Sequence, residues 1–374
     1  MSRKIQQIAD VKWAHPESYE DGWYVLKSME PDFREIVKWD GKKAQAAVDK
    51  LRAGEKAALE ASDAPEYVSV EWKEYFAEKG CPEEPDIEPL HILVATPKGL
   101  KPNKKLPAVF CISGGGLVCG GEAEQSALLG RKIIDESGEK AIQVCFDYRI
   151  AGVAQYPASV NDCHAAYQWM IEHADELQID TDRIVIWGTS SGGHHALCLG
   201  FRLKRYNWCN APMPRGLVIH VPVMDDTALN VSNQYYMDKE DGSKAGWDSE
   251  LACITYKVWL GDRYGDPALS PEAVPNRATL EDVKGYPPVW IPGEAEFDCG
   301  RDSVYKFAAL LHEAGVFCDL HVWGGTTHQG FSYGDSHFGR RIHSIITGAI
   351  RDAIKYDFRR AWLNVEEEGE KICQ

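Results

Sequence analysis

Ser190 stands in Gly188-Thr189-Ser190-Ser191-Gly192, a hydroxyl flanked two residues away on each side by glycine. A serine hydroxyl is a weak nucleophile at neutral pH. It needs a base to take its proton and an acid to orient that base. Downstream, in the order Ser, Asp, His, come Asp298 in Gly293-Glu294-Ala295-Glu296-Phe297-Asp298 and His328 in Thr326-Thr327-His328-Gln329-Gly330-Phe331. The chemistry such a set would perform is attack on a carbonyl carbon, giving a covalent acyl intermediate that water then releases. The oxyanion formed on the way needs backbone donors. One is the N–H of Ser191, the residue after the nucleophile, and the rest must come from a loop early in the fold. Ser113-Gly114-Gly115-Gly116 is such a loop. It is not a phosphate cradle: no Lys-Ser/Thr pair follows it, and Cys119 takes the place of a third glycine.

Each role has rivals. Asp302 follows Asp298 closely but is placed to cap the helix that begins near Ser303. Glu294 and Glu296 lie nearer the preceding strand. His194 and His195 belong to the helix behind the nucleophile, and their plain reading is as residues of a helix face.

These residues need elements to hold them. From about residue 90, apolar runs alternate with helical patterns. The strand candidates are His91–Thr96, Ala108–Ile112, Ala141–Phe146, Arg183–Trp187, Leu217–Val223, Val289–Pro292 and Cys318–Trp323. The helix candidates are Glu122–Glu136, Ala158–Leu177, Ser191–Tyr206, Asp302–Ala314 and His337–Trp362. Near-continuous apolar strands separated by helices specify an α/β fold with a mostly parallel central sheet covered on both faces. Ser190 falls at a strand-to-helix turn, while Asp298 and His328 each fall in a loop past a strand end. Two stretches interrupt the alternation. Residues 1–76 carry a helical pattern over Lys42–Ala61 and a short strand-like run at Tyr67–Trp72, and residues 224–269 are polar and aromatic-rich. Both are read as a cap around a catalytic domain spanning 77–374. Within the cap, Tyr235, Tyr236, Trp247, Tyr256 and Trp259 are candidates either for its core or for a pocket lining, the core being favoured.

Composition narrows the partners. A net charge of −16 over 374 residues repels nucleic acid. No apolar run approaches the roughly eighteen residues that cross a bilayer, and residues 1–10 lack a secretory apolar segment. The 11 cysteines, odd in number and without a CxxC pair, suggest reduced thiols and a cytoplasmic protein. No metal or cofactor is implied, since there is no HExxH and no Cys/His cluster. The last strand, Cys318–Trp323, offers an edge for a homodimer. The charged run at Glu366–Lys371 reads as a solvated end.

Taken together, the motifs resemble the hormone-sensitive-lipase-like family of carboxylesterases, of the α/β-hydrolase fold, over about residues 90 to 350. The matching residues are Ser113-Gly114-Gly115-Gly116 (family HGGG), Asp147-Tyr148-Arg149 (DYR) and Gly188-Thr189-Ser190-Ser191-Gly192-Gly193 (GDSAGG). Tyr156-Pro157-Ala158 with Asp162, Glu296-Phe297-Asp298 with Arg301-Asp302, and Ala314-Gly315-Val316 match as well. The resemblance implies a Ser190–His328–Asp298 triad, with Gly115, Gly116 and Ser191 as oxyanion donors. It also implies a small-molecule ester as substrate and a helical cap built from the N-terminus and the insertion after Leu217–Val223. The chain departs from the family at Ser113, where the family has histidine, at Thr189 and Ser191, and at Gln329. Two other functions on the same fold are a small-molecule receptor and a lyase or dehydratase.

Overall fold

The computed structural model describes residues 33–61, 70–77, 90–206, 213–227, 229–234, 247, 249–296, 298–324, 326, 328 and 337–360. Its centre is an eight-stranded sheet in the order β1-β2-β4-β3-β5-β6-β7-β8. The strands are β1 Val70–Ala77, β2 Leu90–Pro97, β3 Leu106–Ile112, β4 Ile142–Phe146, β5 Ile179–Thr189, β6 Gly216–His220, β7 Val289–Ala295 and β8 Cys318–Trp323. From β4 to β8 every pairing is parallel, whereas β2 runs antiparallel to both β1 and β4. The mostly parallel sheet expected from the apolar runs is therefore the observed one.

Helices cover both faces: α1 Gly41–Ala61, α2 Ala123–Ser137, α3 Ala158–Glu172, α4 Ser191–Arg205, α5 Ser249–Leu260, α6 Arg301–Glu313 and α7 His337–Lys355. The alternation of side chains along each strand divides the core between them. Ala108, Phe110 and Ile112 of β3 join Tyr167 of α3, Leu197 of α4 and Phe307 of α6. Val109 and Cys111 join Ile133 of α2 and Ile346 of α7 on the other face. Strands clad on both sides need apolar residues at every position, and β3 is accordingly buried from end to end.

A third apolar cluster lies over the carboxyl ends of the strands. It combines Ile36 with Trp247, Leu251, Tyr256, Trp259, Leu269 and Val274, and it meets Leu117, Val118 and Val223 below. This is where the inserted segment and the start of the described chain come together. β1, most of which falls in the stretch read as cap, is the sheet's edge strand, and Ala44 and Val48 of α1 enter the main core. Its sequence, Val-Glu-Trp-Lys-Glu-Tyr-Phe-Ala, mixes charged and apolar residues as an edge strand does, and so β1 lacks the continuous apolar run that marks the inner strands. Trp259 and Tyr256 are fully buried in the third cluster, in agreement with their core reading. Tyr235, Tyr236 and the Glu366–Lys371 run lie outside the described residues.

Candidate active site

The parallel strand order turns back on itself at β3, with β4 on one side and β5 on the other, and a crevice opens at the carboxyl ends there. The glycine-rich loop leaves β3 and Ser190 leaves β5, so both arrive at this crevice. Ser190 has φ 55° and ψ −122°, a conformation that costs a non-glycine residue on the order of 1–3 kcal/mol. The surroundings impose it. Ser190 N–H donates to His220 C=O at 2.8 Å, and Ser190 C=O accepts from His194 N–H at 3.0 Å and from Val223 N–H at 3.3 Å. Gly192 supplies the clearance, because a Cβ there would lie 2.2 Å from the carbonyl oxygen of Ile112.

Ser190 Oγ lies 2.8 Å from His328 Nε2. His328 Nδ1 in turn hydrogen-bonds Asp298 Oδ2, and the other Asp298 oxygen accepts the Gly300 N–H at 2.8 Å. Asp298 and His328 are each 3% exposed, so the acid and the base meet out of water. The ring of Trp247 stacks on the His328 imidazole with centroids 5.2 Å apart and planes 24° from parallel. The three residues singled out from the sequence are therefore in contact, in the order that proton transfer requires: hydroxyl, imidazole, carboxylate.

The rivals have other partners. Asp302 lies one residue inside α6, where Gly300 is the N-cap, and its carboxylate accepts the Ser232 N–H at 2.8 Å while pairing with Arg301. Glu294 is buried, and burial followed by the Asp298 charge raises its carboxyl well above the usual range. The Glu296 carbonyl accepts from Arg301 Nη1 at 2.8 Å. His194 Nδ1 faces the Val223 carbonyl at 2.9 Å, and burial lowers its pKa to about 3. His195 is buried and lowered likewise, first by burial and then by His194. Neither ring contacts Ser190 Oγ among the described interactions, and both match the helix-face reading.

The oxyanion-side loop passes directly over the nucleophile: a Cβ on Gly114 would meet the Thr189 carbonyl oxygen at 2.8 Å and Ser190 Cβ at 3.4 Å. Among the described residues the N–H groups of Gly115 and Gly116 enter no backbone hydrogen bond, which leaves them available to an incoming oxygen. Among the described residues one set of potential metal ligands lies together, His91, Glu124 and Asp147. Arg52 already supplies positive charge to it, with Nη2 2.5 Å from Asp147 and Nε 3.9 Å from Glu124. The set is therefore an ion-pair junction holding α1 against β4 and α2.

Fold and site together define an α/β hydrolase, and the model of the α/β-hydrolase fold family matches residues 109–332. The chain belongs to that family. It is similar to carboxylesterase NlhH of Mycobacterium tuberculosis, 30% identical over 215 residues, covering 58% of this chain and 63% of that protein. It is also similar to an ethyl acetate hydrolase of Pseudomonas putida, 29% identical over 59% of this chain and 65% of that one. Both matches thus span somewhat less than two thirds of the relative's length. Among solved structures, a bacterial heroin esterase is 27% identical with a TM-score of 0.71, covering 89% of this chain and all of that one. Among the described residues no helix is long and apolar enough to cross a membrane.

Proposed function

We propose that the protein is a serine carboxylesterase acting on small or medium acyl esters. The observation that carries this reading is the contact chain Ser190 Oγ to His328 Nε2 at 2.8 Å, continued from His328 Nδ1 to Asp298. His328 takes the hydroxyl proton as Ser190 attacks the ester carbonyl carbon. Asp298 holds the imidazole with Nε2 facing the serine and stabilises it once charged. The oxyanion is received by the N–H groups of Gly115, Gly116 and Ser191. His328 then delivers its proton to the departing alcohol, and a water, activated by the same imidazole, releases the acid and restores Ser190.

The cap supplies the substrate's surroundings. In this reading it comprises the short helix Phe33–Ile36 and the insertion from about 224 to 269, with Trp247 closing over the catalytic imidazole. A cytoplasmic location is supported by the buried thiols of Cys111, Cys145 and Cys163, which form no disulfide. Pairing of two copies through β8 is supported by its position as the last strand of the sheet.

The test is turnover of p-nitrophenyl acetate and butyrate by the wild type and by Ser190→Ala, together with labelling by a fluorophosphonate. The expected outcome is hydrolysis and labelling that both vanish in Ser190→Ala. Undiminished turnover by the variant would remove the assignment, and a wild type that binds esters without labelling or turnover would make it a receptor.

A further inference from the structure

The loop that presents Gly115 and Gly116 has no histidine at its head, and five of the ten residues from Ser113 to Glu122 are glycine. Such a segment has much backbone freedom to lose, yet an oxyanion site works only when its donors are fixed before the charge develops. Three hydrogen bonds close the loop at its neck. The Gly121 N–H donates to Ser113 Oγ at 3.0 Å. Tyr148 Oη donates to the Ser113 carbonyl at 2.8 Å, and Tyr148 N–H donates to the Gly121 carbonyl at 2.9 Å. One residue just past β4 thus ties the loop's first and ninth residues to each other and to the sheet.

Tyr148 is itself clamped from both sides. Asp147 accepts the Ala123 N–H at 2.8 Å, where the loop passes into α2, and is paired with Arg52. Arg149 donates its N–H to Asp162 at 2.7 Å and its guanidinium to the same carboxylate at 2.8 Å. Ser113 and Tyr148 are 1% and 5% exposed, so water does not compete for these bonds. Burial raises the Tyr148 phenol above its ordinary range, and its O–H remains a donor throughout neutral pH.

We infer that Ser113 and Tyr148 are positioning residues for the oxyanion hole, fixing the Gly115 and Gly116 amides through the loop neck. This inference rests on the serine-esterase reading. Neither side chain touches substrate. Their effect therefore falls on the transition state, where the oxyanion exists, and little on ground-state binding.

The experiment compares wild type, Ser113→Ala, Ser113→Thr, Tyr148→Phe and the Ser113→Ala/Tyr148→Phe double variant on p-nitrophenyl butyrate. It also measures inhibition by a trifluoromethyl ketone, which mimics the tetrahedral adduct. Each single loss is expected to lower kcat about tenfold, less than the roughly 10²–10³-fold lost when an oxyanion donor is removed outright, with KM changed less than about twofold. The ketone should weaken by the same factor as kcat/KM. Ser113→Thr, which keeps the acceptor, should restore turnover, and the double variant should fall short of the product of the singles because both act on one loop. The inference is overturned by an unchanged kcat in either single variant, by a loss carried in KM, or by a fall in kcat without weaker ketone binding. Should Tyr148→Phe fail to fold, the Ser113→Ala and Ser113→Thr pair decides the matter by the same readouts. A wild type that neither turns over ester nor takes a fluorophosphonate counts against the esterase reading itself.

Discussion

At the scale of single residues, the site separates groups of the same type by what surrounds them. Asp298 and Asp302 are four positions apart, yet one faces an imidazole and the other faces a backbone N–H of the cap. Replacing Asp298 by Asn keeps the shape but presents an amide where His328 needs an acceptor, and the imidazole is left in the wrong tautomer. Asp298→Asn should therefore lower kcat on p-nitrophenyl butyrate by about 10³–10⁴-fold with the melting temperature little changed. Asp302→Asn should leave kcat within about threefold. Steady-state kinetics on the two proteins checks the assignment, and reversal of the two results would move the acid to Asp302. The Glu294 carboxyl beside this pair is raised well above the usual carboxylate range, first by burial and then by the Asp298 charge.

At the scale of elements, catalytic geometry depends on how α4 is seated, because Ser190 is its N-cap. Arg202, on the same helix, makes a buried ion pair with Glu272 at 2.5 Å and also donates to Asn161 of α3 at 3.0 Å. Glu272 lies between two residues of the cap-side apolar cluster's edge, Leu269 and Ala273, so the pair links the nucleophile's helix to the cap. Arg202→Met would leave the Glu272 carboxylate buried with only the exposed Arg205 beside it at 3.2 Å. Removing one partner of a buried pair costs about 3–5 kcal/mol. The half-way Arg205 contact places the expected loss near the lower end, about 3 kcal/mol, measured as a shift in the urea midpoint. A loss below about 1 kcal/mol would mean that the pair does not anchor the helix. A similar junction holds α1, where Arg52 meets Asp147 of the loop-clamping segment. Arg52→Met should make the N-terminal helix more accessible to limited proteolysis and lower kcat in the same preparation.

At the scale of the whole molecule, the buried titratable groups oppose one another in their pH dependence. His194 and His220 are held near pKa 3 by burial, the latter also by His328. A folded-state value below the ordinary one means that the stability from keeping each ring neutral is complete above about pH 6.5 and is lost as pH falls toward 3. Glu122, at the end of the glycine loop, goes the other way. Burial, with Asp147 and Glu55 adding and Arg52 subtracting, raises it to about 7. Its contribution is complete below about pH 4.5 and is lost as pH rises through 7. Glu122→Gln should accordingly stabilise the protein at pH 8, by up to about 3 kcal/mol, and give no gain at pH 4.5. Calorimetric melting of both proteins at the two pH values tests this, and an equal gain at both would assign the effect to packing instead.

Much of this was legible in the chain. The six inner strands β2 to β7 announce themselves as apolar runs, because a strand buried on both faces has few polar positions to spare, and the edge strand β8 shows instead as the alternation Cys-Asp-Leu-His-Val-Trp. That Ser190, Asp298 and His328 meet is legible for a related reason. Each needs a loop directly past a strand, so the strand pattern places them and the Ser, Asp, His order selects them. β1 is legible only at its start, where the strand-like run Tyr67–Trp72 overlaps it, since an edge strand pairs on one side only and tolerates Lys73 and Glu74. Tertiary structure alone decided that Trp247 lies over His328, that Arg202 meets Glu272 and that Tyr148 reaches the Ser113 carbonyl. Those contacts join residues far apart in the chain. Local spacing reports the repeat of a helix or strand, but it carries no record of which distant surfaces close upon each other when the core excludes water.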